Sequence, residues 1–163
     1  MILRKFRLLL VSCLIGLWTF SSQAAEWTMA SGYPKSNFHT QNIIKFIDDV
    51  KSGSSVKINL NPNDTLIKLD AIKTSLQRGQ IPIGEIRFGI YGNEDPMYIL
   101  AGLPFIAPDY ASAWLLKEVK HAYLQEKFNK KGLRILYTSP WPGQGFYTKF
   151  PVNKVSDFNG KKL

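Results

Sequence analysis

Apolar residues along this chain recur at alternate positions in some segments and at helical spacing in others, and the two patterns take turns. That alternation limits the possible folds more than any other feature. Trp27 to Ala30 is a short strand candidate. Ile43, Phe46, Ile47 and Val50 then share one helical face, and Gly53 ends the segment. Val56-Lys57-Ile58-Asn59-Leu60 alternates apolar and polar residues, as a half-buried strand does. Asn61-Pro62-Asn63-Asp64 is a turn, with Asp64 placed to cap the next helix. Leu66, Leu69, Ile72 and Leu76 form a second helical stripe, closed by Gly79. Ile81 to Phe88 is a third strand. Asp109 caps a long helix whose buried face is expected at Leu116, Val119, Tyr123 and Phe128, with Gly132 as its stop. Leu133 to Tyr137 and Gly145 to Lys149 complete the strands, the last limited by Pro151. Strands separated by helices predict βαβ units, hence an α/β fold with a largely parallel sheet flanked by helices. No internal repeat or low-complexity tract interrupts the pattern.

The N-terminus follows a different logic. Arg4, Lys5 and Arg7 precede an uncharged apolar run from Leu8 to Phe20, and Ser22-Gln23-Ala24 is a small-x-small cleavage signal. The run is too short for the roughly 20 helical residues that span a bilayer. Residues 1–25 are therefore expected to be a signal peptide, cut after Ala24 or Ala25, which sends the product to the periplasm. Leu10-Val11-Ser12-Cys13 looks like a lipoprotein box, but Cys13 sits inside the apolar run instead of closing it. Cys13 is read as discarded rather than lipidated, and the mature chain then has no disulfide and no thiolate chemistry. The formal charge of +9, less the three basic residues of this segment, leaves +6. Export and the scatter of the lysines argue against nucleic acid as a partner.

Several stretches carry a family resemblance. Met29-Ala30-Ser31-Gly32-Tyr33-Pro34 and Asn37-Phe38-His39-Thr40-Gln41-Asn42 resemble the first strand and loop of DctP-type TRAP solute-binding proteins. Leu60-Asn61-Pro62-Asn63, Leu76 to Glu85, Leu103-Pro104-Phe105, Gly132 to Leu136, Pro151-Val152 and Asp157 to Leu163 follow in the family's order. The resemblance implies an extracytoplasmic, two-lobed receptor, not an enzyme, that closes around a small organic carboxylate. Such a receptor delivers its solute to membrane permease subunits driven by an ion gradient. It also implies that residues 26–150 supply the first lobe of a periplasmic-binding-protein-like fold and that residues 151–163 begin the crossing to a second. Lys161-Lys162-Leu163 reads as a strand start, so the expectation is a fragment, or a truncated product without function. The family arginine that pairs with the solute carboxylate comes just after the stretch matching Gly160 to Leu163. A second family arginine matches the position of Gln144, which supplies no charge and points to an acid other than a simple dicarboxylate.

Individual residues sharpen the site. Open α/β sheets bind ligands beyond the carboxyl ends of their strands. Ser31, Tyr33, Asn37 and His39 follow the first strand and offer hydroxyl, amide and imidazole groups, with Gly32 allowing close backbone approach. The same loop also reads as a helix cap, Ser36 or Asn37 capping and Phe38 packed inward. Glu85 and Arg87, two apart on a strand, share one face that points either into a cleft or to an exposed sheet end. Asn93 and Glu94 lie in a turn-rich loop. Trp141, Gln144 and Tyr147 follow a strand end, as a binding wall or as a packed aromatic corner. No catalytic triad, HExxH, phosphate loop or GxGxxG is present, and neither a metal nor a cofactor is expected. An ABC-type receptor, a ligand-sensing domain and a secreted hydrolase are the other readings.

Overall fold

The computed structural model describes residues 25–143 and 145–162. The expected signal peptide, with Cys13, and the position of Gln144 lie outside them. Three strands form one parallel sheet in the order β2-β1-β3: β1 is Glu26–Ala30, β2 is Lys57–Asn61 and β3 is Ile83–Gly84. Trp27 pairs with Ile58 and Met29 with Leu60 on one side of β1, and Met29 with Ile83 on the other.

The strands present opposite faces to two helices. Met29, Ile58 and Ile83 are buried against Ile43 of helix α1, Phe38–Gly53, and Phe46, Ile47 and Val50 complete that layer. Ala30, one residue on from Met29, points to the other face, where it packs on Ile72 of helix α2, Ile72–Gln77. α1 starts earlier than its apolar stripe because Asn37 caps it: its Oδ1 accepts from the His39 amide at 2.9 Å. Phe38 does not pack inward; it is exposed on the helix's first turn.

α2 is shorter than its stripe. Asp64 does not cap it. Asn63 and Asp64 both take left-handed backbone, φ 58°, and the Asp64 side chain accepts from the Leu69 amide at 2.8 Å, which fixes a turn where helix was expected. β3 is two residues long instead of eight. Pro82 lacks an amide to donate, and β1 ends at Ala30, so only the Glu85 amide continues the ladder, donating to Ala30 O at 2.9 Å. The chain then tightens into three short 3-10 turns, Phe88–Tyr91, Pro96–Tyr98 and Leu100–Gly102.

Helix α3, Tyr110–Asn129, is capped by Asp109, whose Oδ1 accepts from the Ser112 amide. Its buried line is Lys120, Leu124 and Phe128, not Leu116, Val119 and Tyr123; Val119 is 72% exposed. Leu124 and Phe128 close a second core with Tyr91 and Tyr98, and the Lys120 stem lies along it below the Phe88 ring. Gly132, φ 70°, ends the helix, and the Leu133 amide returns to Phe128 O at 2.9 Å. Leu133 to Tyr137 forms no strand, although Leu133 and Ile135 pack on the second core. The two-residue β3 leaves no edge long enough to pair with it. The described part of Gly145 to Lys149 is likewise unpaired coil, with Phe146 and Tyr147 in solvent. The turn read at Val155 to Gly160 is a 3-10 turn, Val155–Phe158.

Candidate ligand-binding site

The parallel sheet ends β1 and β3 side by side, and their carboxyl ends carry the candidate residues. Ser31, the residue after β1, is fully buried and its hydroxyl donates to Glu85 Oε2 at 2.5 Å. Ser31 is fixed from the backbone as well, its amide donating to Asn61 O at 3.0 Å. Gly32 does permit a close approach, but by Leu69: a Cβ there would stand 2.6 Å from the Leu69 Cβ. The close packing that needs glycine is thus internal.

Tyr33 turns over the N-terminus of α1. Its carbonyl accepts from the Thr40 hydroxyl at 3.2 Å, which ties the loop to the helix. Its ring stands edge-on to Trp141 at 5.5 Å between centroids, and His39 lies 4.5 Å from the same indole. Phe38 joins from the exposed side, 5.6 Å from Trp141. Within this aromatic group two buried polar atoms, the Tyr33 hydroxyl and His39 Nε2, form no geometric hydrogen bond among the described residues. Buried polar atoms are nearly always paired, which sets these two apart.

Electrostatics follow the same geometry. Burial pushes the Glu85 carboxyl above the ordinary carboxylate range, and the Ser31 hydrogen bond partly offsets it. Burial raises the Tyr33 phenol; the Arg87 guanidinium nearby pulls it down, and Glu85 pushes it up. Arg87 acts on that hydroxyl both by its charge and as a nearby donor. Burial lowers His39 below the ordinary imidazole value and keeps the ring neutral. Among the described residues neither Glu85 nor Arg87 forms an ion pair.

The structure thus brings together Ser31, Tyr33, Asn37, His39, Glu85, Arg87 and Trp141. Asn37 enters this group with its carbonyl oxygen committed to capping. Asn93 is exposed in the loop before Glu94, and Glu94 is engaged by Lys73 and Lys131 instead. Tyr147 is 93% exposed and has no ring contact with the group. Two residues were missed. Phe38 was read as core, and Tyr137, whose phenol Glu85 helps to raise and whose ring lies 5.3 Å from Phe46, was read as part of a strand. Period-two spacing hides such a residue, because it assigns Tyr137 a sheet face before a sheet exists. The surface depressions lined by Asp64, Lys68, Leu69, Asp70 and Ile90, and by His121, Gln125, Asn129, Arg134, Ile135 and Leu136, share no residue with the group. Among the described residues no three His, Cys, Asp or Glu side chains gather as a metal site would need. No helix among them is long and apolar enough to cross a membrane.

Comparison with known proteins places this arrangement. Residues 29–163 match the family model for bacterial extracellular solute-binding proteins, family 7. DctP6 of Bordetella pertussis, an extracytoplasmic solute receptor solved with pyroglutamic acid, is 38% identical over 72% of this chain and 40% of its own, with a TM-score of 0.70. DctP7 of the same organism, also solved with pyroglutamic acid, is 36% identical over 83% and 46%, TM-score 0.76. A pyroglutamate-specific TRAP solute-binding protein from a marine metagenome is 36% identical over 83% and 45%, TM-score 0.75. No curated protein matches. The chain spans less than half the length of these three receptors. Its sheet, with helices on both faces, is the first-lobe architecture of such receptors, and the family is one of solute receptors rather than enzymes. The ABC-type reading falls away with it: the chain belongs to the DctP family of TRAP solute-binding proteins.

Proposed function

We propose that this chain forms one wall of an extracytoplasmic TRAP receptor site for a small cyclic carboxylate, with pyroglutamate the first candidate. The observation that carries the reading is the set of polar groups near the carboxyl ends of β1 and β3: the Arg87 guanidinium, which forms no ion pair among the described residues, beside the Tyr33 hydroxyl and His39 Nε2, which are buried without a geometric hydrogen bond among them. A guanidinium pairs with a planar carboxylate through two parallel hydrogen bonds. The N-terminus of α1, where Phe38 and His39 sit, adds a partial positive charge that favours an anion. The rings of Tyr33 and Trp141 suit a flat five-membered ring. Three relatives at 36–38% identity bind that ligand, which supports the choice.

The facing wall would come from sequence outside these 163 residues, since the resemblance implies closure between two lobes. A single open wall leaves the solute carboxylate hydrated, and one such contact contributes only about 1 kcal/mol. Residues 1–25 would direct export, and the loaded receptor would hand its solute to the permease subunits. N-terminal sequencing of the periplasmic product should begin at Ala25 or Glu26; Met1 on cytoplasmic protein would remove the export step.

The binding reading is tested in a chimeric receptor, residues 25–163 replacing the matched part of DctP7. Calorimetry should give micromolar pyroglutamate binding by the chimera. The triple variant Tyr33→Ala, Arg87→Ala, Trp141→Ala should bind none. Equal binding by both would reject the assignment of the site.

A further inference from the structure

Glu85 is the one charged group of this edge for which a carboxylate site has no evident use. A carboxylate beside an anion-binding guanidinium repels the solute's charge, yet this one is held in place. Ser31, fully buried, donates to Glu85 Oε2 at 2.5 Å, and the Glu85 amide is tied to Ala30 O at 2.9 Å. The other oxygen, Oε1, accepts no hydrogen bond from a described residue, and among the described residues no lysine or arginine forms an ion pair with the group. The same Ser31 oxygen accepts from the Tyr33 amide at 3.4 Å, so the carboxylate sits one hydrogen-bonded step from the loop that carries the aromatic group. Burial raises the Glu85 carboxyl, and the Ser31 donor partly offsets this by favouring the ionised, accepting form.

We propose that Glu85 is a specificity-determining residue that selects lactam-type monocarboxylates over dicarboxylates. Its free Oε1 accepts a hydrogen bond from a neutral ring N–H on the solute, while its charge turns away a solute that would bring a second carboxylate there. The inference rests on the carboxylate-site reading above. It divides the edge into a cationic part, Arg87 and the start of α1, for the solute's acid group, and an acceptor part, Glu85 with Ser31, for its donor. Sites built to pair a buried donor reject analogues that lack it, because the protein group is left unpaired.

The test uses the same chimeric receptor and three probes in calorimetry: pyroglutamate, its lactone analogue with ring oxygen in place of N–H, and glutarate. The unsubstituted chimera should prefer lactam over lactone by about 30-fold, the penalty expected for an unpaired buried acceptor. It should bind glutarate no better than the lactone. Glu85→Gln carries an amide that both accepts and donates and has no charge, so the lactam preference should shrink to about 3-fold. The same variant should bind glutarate about 10-fold more tightly than the unsubstituted chimera, since the repulsion is gone. Ser31→Ala keeps the charge and loosens its aim: it should narrow the lactam preference while glutarate stays rejected. Thermal melts establish that each variant folds, and Ser31→Ala decides the matter should Glu85→Gln not. Unchanged selectivity in whichever variants fold would overturn the proposal, as would an unsubstituted chimera that binds glutarate as tightly as pyroglutamate. A chimera that binds none of the three acids rejects the carboxylate-site reading itself, and this inference with it.

Discussion

Two clusters of polar groups in this molecule are built from similar residues and treated differently. In one, Lys73 is almost fully buried, ion-paired with Glu94 and set 4.0 Å above the Tyr91 ring, while Lys131 holds the other Glu94 oxygen at 2.7 Å. Next to it Asp95 accepts from the Tyr123 hydroxyl at 2.7 Å, from the Met97 amide at 2.9 Å and from Lys127 at 3.2 Å. Hydrogen bonds from Lys131 and then Lys73 hold Glu94 below its usual range, and Tyr123 leads in doing the same for Asp95. Every charge there is matched, and the matches tie α2 and α3 to the 3-10 segment between them. In the other cluster Glu85 is raised by burial, and among the described residues Arg87 has no ion pair and the buried Tyr33 hydroxyl and His39 Nε2 form no geometric hydrogen bond. The matched cluster holds elements together; the unmatched one is the site proposed above.

Substitutions in the two clusters should therefore separate binding from stability. The largest effect expected is on affinity. Arg87→Ala in the chimera should weaken pyroglutamate binding by about 100-fold, as truncating one partner of a buried charge pair does. Its melting temperature should barely move, because Arg87 is exposed and forms no ion pair among the described residues. Lys73→Ala should do the reverse. It removes a buried stem and a matched charge and should cost about 2 kcal/mol in urea unfolding, with affinity in the folded chimera held within about 3-fold. A loss of affinity from Lys73→Ala larger than that from Arg87→Ala would erase the distinction between the clusters.

How much of this could be read from sequence depended on whether a residue's role is set locally. β1, α1, β2 and the caps Asn37 and Asp109 were legible, since alternation, helical spacing and a capping side chain act within a few residues. The strand at Leu133 to Tyr137 was not, because a strand needs a partner edge and β3 offers two residues. α3 was misread by one residue over its middle, little more than a quarter of a turn. Lys120 counts as polar in any pattern, yet its aliphatic stem is buried with Leu124 and Phe128. At the site, Ser31, Tyr33, His39, Glu85, Arg87 and Trp141 were predicted and do converge. Their convergence was inferable because strand carboxyl ends in a parallel sheet lie together. That Gly32 serves Leu69, and that Tyr137 stands near Glu85, depends on packing across the chain and had no local signal.

Smaller effects refine the comparison. Asn37→Ala should cost about 1 kcal/mol by loss of the cap, and Asn37→Asp should retain it, both measured by urea midpoint. His39 links the binding cluster to pH. Its folded value lies below the unfolded 6.5, so the unfolded chain takes up the proton first as pH falls. Stability should be fully present above about 6.5 and decline below it, toward the lowered folded value. Glu85 has the opposite sign: its raised folded value favours the folded state at low pH and loses that contribution as pH rises above 4.5. His39→Gln should flatten the acid decline below about pH 6.5 in thermal melts. An identical slope in that variant would show that the buried imidazole is not linked to folding.

The most direct measurement is a crystal structure of the chimera grown with pyroglutamate. The account predicts the solute at the carboxyl ends of β1 and β3, its carboxylate on the Arg87 guanidinium and its ring against Tyr33 and Trp141. The Tyr33 hydroxyl or His39 Nε2 would then have gained a partner. A solute bound elsewhere, with Arg87 in solvent and both buried atoms still unpaired, would contradict it.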